Sequence, residues 1–223
     1  MGRSQTDGFK VELTDIKEQL EKKQQEILTL QRLTTEFAMA RDKQDLLAIT
    51  RDKLRTLFGF GEIGVAIIND DGCTMSPFLS EPDSITRTHS KYARMLHTKY
   101  PIADGILDRI LDSPEPIMYY LREIADRGEL PEYFQIQLDG GISRIVMSRL
   151  CTGNTAIGFW GITITNEEPL GEEQLYLVKY ISHLMATAVS NVLANEDIRR
   201  RQLEKEALLS MSIDIAVTLT RVA

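Results

Sequence analysis

The residues best equipped for chemistry are cations set in an acidic chain. Arg87, His89, Lys91, Arg94, His97 and Lys99 form the one basic stretch of a sequence whose 26 Lys and Arg are outnumbered by 33 Asp and Glu. Read as a single helix over 84–97, this stretch offers either a solvated basic face or a wall that attracts a phosphate or carboxylate. Arg149 is the second candidate. It lies in a strand read over 142–150 (ISRIVMSRL), where alternation places Ile145, Met147 and Arg149 on one face. An unpaired buried guanidinium is costly, so Arg149 pairs with a carboxylate, snorkels to the rim or faces an anionic ligand. In the last case Arg87, Lys91 and Arg94 could supply a second positive wall for a small acid or phosphate.

Other chemistries find no support. His89 and His97 stand eight apart, whereas helical metal pairs stand three or four apart, and no Cys or His complements them, so no metal site is expected. Cys73 and Cys151 each precede a threonine and suggest no disulfide framework; they read as two reduced, buried thiols of a cytoplasmic protein. No Ser/His/Asp order, glycine-rich phosphate loop or paired-carboxylate site is visible. The expectation is a protein that is not an enzyme and carries no cofactor. A net charge of −7 and a pI near 5.1 argue against a nucleic-acid-binding surface. No apolar run approaches the roughly 18 residues of a membrane span, and the N-terminus lacks the apolar core of a secretory signal.

The elements that must position these groups follow from periodicity. From 11 to 37 the chain is helical, and Leu13, Ile16, Leu20, Lys23, Ile27, Leu30, Thr34 and Phe37 recur at spacings of three and four. This is a heptad seam with polar breaks at Lys23 and Thr34. It either packs on its own domain or pairs with a second copy; the reading adopted is a parallel homodimer through Leu13, Ile16, Leu20, Ile27 and Leu30. Asp42 caps a second helix whose buried face holds Leu46, Leu47, Ile49, Leu54, Leu57 and Phe58. A hairpin follows, with strands over 62–68 and 73–79 around Asn69-Asp-Asp-Gly72, and Pro77 marks an edge. A short helix over 102–111 starts near Asp104, and Ile117-Met-Tyr-Tyr120 is a strand. The segment 130–138 brings in Tyr133 and Phe134. Met118, Tyr120, Phe134 and Met147 suit a small-molecule pocket, and equally a solid core. A strand over 156–165 contains Gly158 and Gly161, where helices could approach closely. Glu172 opens a long helix with Leu175, Val178, Ile181, Met185, Ala188 and Val192 on one side.

The run Ile157-Gly-Phe-Trp-Gly161, the acidic loop 166–171 and the amphipathic helix after it resemble the C-terminal part of a GAF domain. Gly140-Gly141 is the turn expected before the preceding strand, and Arg149 stands where that family often has proline. The resemblance covers roughly 40–198. It implies an α/β (α+β) fold, a GAF/PAS-like central antiparallel sheet with helices packed on it, flanked by long N- and C-terminal coiled-coil helices. It also implies a ligand cavity walled by the helix 102–111 and the strand 117–120. The Asn…Lys-Phe-Asp-Glu run of cyclic-nucleotide-binding GAF domains is absent. So are a bilin-attaching Cys beside a His and the clustered cysteines of sulfoxide-reducing members. His89, His97 and His183 are the only haem-ligand candidates, and His183 reads as a packed or rim residue.

The organisation expected is a coiled-coil helix over 1–40, a GAF domain over 41–198 and an outgoing helix over 199–223. With an offset of 178, Leu208, Met211, Ser212, Asp214, Ile215 and Ala216 fall on Leu30, Leu33, Thr34, Glu36, Phe37 and Ala38. That similarity reads as the start of a second repeat. The leading segment resembles sensory regions of bacterial sigma-54-dependent regulators and histidine kinases. The functional expectation is a sensory module of a signalling or transcription-regulatory protein. It would bind an unidentified small molecule or partner and act through dimeric helices on a downstream output domain. A ligand-free fold used only for dimerisation or docking is the alternative.

Overall fold

The computed structural model describes residues 3–55, 61–164 and 170–222; the side chains of 3–15, 18, 22, 26 and 213–222 lie outside the description. Leu13, Leu57, Phe58 and most of the suspected second repeat therefore fall beyond what it describes. Six strands form one antiparallel sheet in the order β3-β2-β1-β6-β5-β4. They are β1 Ile63–Ile68, β2 Thr74–Leu79, β3 Tyr100–Pro101, β4 Ile117–Tyr120, β5 Arg144–Thr152 and β6 Thr155–Thr163. The hairpin between β1 and β2 turns at Gly72 with φ 65°, while the Asp71 carboxylate accepts from the backbone N–H of Cys73 and Thr74. Pro77 pairs with Ala66 on one side and lies beyond the short β3 on the other, where its missing N–H costs nothing.

Period-two alternation gives the sheet two buried faces. On one, Ile63, Val65, Val146, Leu150, Trp160 and Ile162 meet the helices α1 (Arg3–Met39), α2 (Lys43–Ala48, continuing as a π-helical stretch Ile49–Leu54) and α7 (Glu172–Val222). Val178, Ile181, Met185, Ala188 and Val192 of α7 are all buried there. The Asp42 carboxylate caps α2, accepting from the N–H of Gln44 and Asp45 at 2.9 Å. On the other face lies a second apolar layer around Ile145, Met147 and Phe159. It is covered by α3 (Tyr92–Met95), α4 (Leu107–Asp112), α5 (Leu121–Asp126) and α6 (Glu132–Asp139).

The leading helix divides along its length. Leu33 and Phe37 are each 1% exposed in the domain core, and Leu30 packs beside them. Thr34, a polar break in the seam, lies 2.9 Å from the Tyr180 hydroxyl of α7. Earlier in the helix Ile16, Leu20 and Ile27 are 63%, 58% and 54% exposed. The contacts of α1, and of the turn and α2 that follow it, climb along α7 together: Thr34 with Tyr180 and the Ala38 carbonyl with Asn191 from α1, then the Arg41 carbonyl with Asn195 and Lys43 with Glu196. The two helices therefore run in the same direction.

Four expectations change. The single helix over 84–97 is a 3-10 turn, Ile85–Thr88, an extended residue at His89 (ψ 134°) and the short α3. Ser84 and Thr86 hydroxyls and the Glu62 carboxylate, which accepts from Ser84 and from the Ile85 N–H, hold the backbone in turns. Gly158 admits a neighbouring strand rather than a helix, since a Cβ there would lie 2.2 Å from the Ala66 carbonyl oxygen. Cys73 is exposed and Cys151 half-buried, so neither thiol is a core residue. Within α7 the stretch Glu172–Ser212 contains a window apolar enough to cross a membrane, at mean hydropathy 1.2. Much of that apolarity faces the sheet, with 44% of the window buried inside the protein.

Candidate functional site

The second face of the sheet does not close into a solid core. A cavity of about 140 Å³ lies over β1, β6 and β5, beneath α3 and α6. Its floor is low because Gly64 pairs directly with Gly161 across β1 and β6, and neither has a side chain to fill the space. A Cβ built on Gly64 would meet nothing within 4 Å. Ala66, Met147 and Phe159 extend the floor, while Met95, Tyr100 and Phe134 form much of the opposite wall.

The walls are positioned by aromatic packing and a few polar ties. Tyr133 and Phe134 pack edge-on at 4.8 Å, and Tyr100 sits edge-on to Tyr133 at 5.3 Å between ring centroids. The Tyr133 hydroxyl donates to Asp104 Oδ2 at 2.5 Å. Asp104 Oδ1 in turn accepts from the N–H of Ile106 and Leu107, starting α4, so one carboxylate ties α4 to α6. Tyr119 donates to the Ile106 carbonyl, and its burial pushes the phenol up to about 12; burial raises Tyr133 as well.

Two polar atoms break this pattern of satisfied bonds. Tyr100 Oη and Gln137 Oε1 are buried with no hydrogen-bond partner among the described residues, and both residues line the cavity. Thr98 lies beside Tyr100 and works against the raising effect of burial on its phenol, yet no partner stands at hydrogen-bonding geometry from Tyr100 Oη among the described residues. Gln137 lies one helical turn after Tyr133 on α6, so both unpaired atoms belong to the wall around Tyr133. Buried polar groups without partners cost about 1–3 kcal/mol each and are uncommon.

Charge at the cavity comes from carboxylates. Glu62 and Glu81 line it, and no Lys or Arg does. Glu81 is 3% exposed, accepts from the Ile63 N–H at 2.9 Å and pairs with Arg55 at 2.8 Å. Burial still raises its pKa above the usual 4.5.

The residues singled out in the sequence are dispersed. Met147 and Phe134 line the cavity. Met118 packs on the helix-bearing face, and Tyr120 is 43% exposed at the end of β4. Their neighbours Ile117 and Tyr119 turn to the cavity layer instead. Arg87 donates to the Pro82 carbonyl at 2.6 Å, and Arg94 pairs with Glu132 on the outer surface. Arg149 donates to the Leu111 carbonyl at 2.6 Å, near the end of α4, beside a separate groove that also touches Lys179 and His183. The three arginines thus do not converge. What the basic stretch contributes to the cavity is its apolar residues, Tyr92 and Met95. Gly64, Tyr100 and Gln137 carried no periodic signal; Gly64, a glycine inside a strand, was the nearest thing to one.

Immediately behind the cavity, on the far face of β6, Trp160 is 1% exposed and donates its indole N–H to Ser182 Oγ of α7 at 2.7 Å. The single Ser182 proton has two acceptors, Val178 O at 2.8 Å and Ser148 Oγ at 2.9 Å.

No family model matches the sequence, and no curated protein matches it. Solved structures do match the fold. The GAF domain of a Coxiella burnetii phosphoenolpyruvate-protein phosphotransferase aligns at TM-score 0.57 and 11% identity, over 77% of this chain and 96% of that one. The corresponding Acinetobacter domain aligns at 0.56 and 10%, over 76% and 95%. The GAF domain of a Bacillus halodurans two-component sensor histidine kinase aligns at 0.55 and 17%, over 70% and 98%. The chain has the GAF fold, as its strand and helix order led us to expect.

Proposed function

We propose that this GAF-fold chain is a sensory module whose cavity takes a small molecule and whose long helices carry the response in a parallel homodimer. The observation that carries the reading is the placement of cavity and helix on opposite faces of one strand. Phe159, Trp160 and Gly161 of β6 all border the cavity, and the Trp160 side chain packs in the opposite core layer, hydrogen-bonded to Ser182 of α7. A guest that shifts β6 therefore acts on a buried polar contact that fixes the seating of α7 on the sheet. Buried polar pairs of this kind select one register over its neighbours, and a coupling of about 1–3 kcal/mol suffices for a switch.

Dimerisation is supported by the exposed stripe Ile16, Leu20 and Ile27, which continues the heptad seam away from the domain. It is also supported by Leu203, Leu208 and Met211, each more than 60% exposed on the far part of α7. A downstream output domain, in a cytoplasmic signalling or transcription-regulatory protein, is the natural recipient. The alternative of a ligand-free dimeriser requires a cavity filled by Tyr120, Phe134 and Trp160; Tyr120 is 43% exposed at the end of β4, and Phe134 and Trp160 line the space without filling it.

The test is a thermal-shift screen of small metabolites against the parent and Gly64→Val. Compounds that raise the parent's Tm and leave the variant unchanged support the reading. It fails if no compound stabilises the parent at millimolar concentration, or if every stabiliser acts equally on both.

A further inference from the structure

The cavity's chemistry specifies its guest more closely than its shape does. We infer that it takes a small, uncharged, flat molecule bearing an N–H or O–H donor, and that it rejects carboxylates and phosphates. The inference rests on the sensory reading above and names the ligand class for that same cavity.

Size is the first argument. An apolar cavity of roughly 150 Å³ holds one benzene-sized guest, and this one measures about 140 Å³. That suits a guest built on a single benzene-sized ring. The lining supplies the second argument, because Met95, Tyr100, Phe134, Met147 and Phe159 present ring faces, ring edges and thioethers. Such walls favour a planar apolar body.

The polar groups decide the rest. Gln137 Oε1 can only accept, and it is buried with nothing to accept from. Tyr100 Oη is 93% shielded by residue, at 7% exposure, and is likewise unpaired. A phenol both donates and accepts, so a guest N–H or O–H answers Gln137, and either a guest carbonyl or a guest N–H answers Tyr100. A carboxylate group has no hydrogen to give and cannot make the first of these bonds. It would also enter beside two carboxylates, of which Arg55 pairs with Glu81 and leaves Glu62 facing it, with no Lys or Arg among the lining residues to balance the guest's own charge. Arg87, Arg94 and Arg149, the groups that could have reversed this sign, are engaged elsewhere with Pro82, Glu132 and Leu111.

Benzamide, benzoate and ethylbenzene share a ring and differ in the group it carries: neutral donor, anionic acceptor, apolar. Their affinities for the full chain would be measured by NMR titration at pH 7.5, with Gln137→Leu as the matched variant. The expected result is benzamide binding at least tenfold tighter than benzoate and severalfold tighter than ethylbenzene. In Gln137→Leu the preference for benzamide over ethylbenzene should disappear while ethylbenzene still binds, which also shows that the variant is folded. Equal binding of benzamide and benzoate, or tighter benzoate, would overturn the ligand class and leave the sensory cavity standing. So would an undiminished benzamide preference in Gln137→Leu. If none of the three binds the parent, both the ligand class and the cavity reading fall.

Discussion

Gly64 offers a substitution whose two effects point in opposite directions. A glycine within a strand costs about 0.5–1 kcal/mol relative to alanine, through backbone entropy and the absence of packing. Its place here is not forced by backbone geometry, since its φ is not among the positive values, nor by crowding, since a Cβ would meet nothing within 4 Å. Gly64→Val should therefore add about 1 kcal/mol of stability, combining the entropy gain with the strand preference of a β-branched residue. For a chain of this size that corresponds to a rise of about 2–4 °C in Tm. The same side chain stands on the cavity floor opposite Gly161 and occupies the guest's space. Urea and thermal unfolding give the stability, and titration with benzamide gives the occupancy. Gly61, three residues earlier, is the control: a Cβ there would lie 2.2 Å from Thr163 Oγ1 and 2.6 Å from its carbonyl oxygen, so Gly61→Ala should destabilise. The reasoning is refuted if Gly64→Val lowers Tm as Gly61→Ala does, or if it binds benzamide as the parent does.

Three further outcomes are expected. Ser182→Ala should cost about 1–3 kcal/mol because it strands the Trp160 indole N–H in the core; in a double-mutant cycle, Trp160→Phe should cost less in that background than in the parent, and strict additivity would deny the coupling. Leu20→Glu with Ile27→Glu should convert a dimeric parent to monomer in sedimentation velocity, while far-UV circular dichroism and Tm change little, because both side chains are more than half exposed. Glu81 holds its proton more tightly folded than unfolded, so its ionised form opposes folding at neutral pH, and that opposition fades as pH falls through its raised pKa towards 4.5. Relative to Glu81→Gln, the parent should gain stability between pH 7 and pH 4.5 in urea titrations; a constant difference across that range would count against it.

What could be read from the sequence was whatever depends on period. Ile117-Met-Tyr-Tyr120 announced β4 to the residue, and the buried side of α7 followed from Val178, Ile181, Met185 and Val192. Period alone does not say which face of a strand meets which layer. Met118 and Tyr120 share one face of β4, whereas Ile117 and Tyr119 join the apolar layer on the cavity side of the sheet, and a shift of one residue exchanges the faces. The basic stretch misled for another reason. Its charges are turned outward by local hydroxyl and carboxylate bonds that no spacing encodes, such as Glu62 accepting from the Ile85 N–H at 2.5 Å. The unpaired atoms of Tyr100 and Gln137 arise from β3 and α6 meeting across 37 residues of sequence, so only the fold could expose them.

Because α1 and α7 run the same way and are joined from Thr34 with Tyr180 to the Ala38 carbonyl with Asn191, the domain sits on them like a collar on a drive shaft. Beyond Val192, the last core residue of α7, the helix extends to Val222, about 45 Å at 1.5 Å per residue. Such a shaft has an angular setting as well as a length. One residue inserted after Asn195 advances the far end by only about 1.5 Å but turns it by about 100°, whereas seven residues nearly restore the original angle. Under the proposed signalling role, whatever the helix delivers is thus governed by phase, and insertions after the domain should be interchangeable in steps of seven rather than by distance.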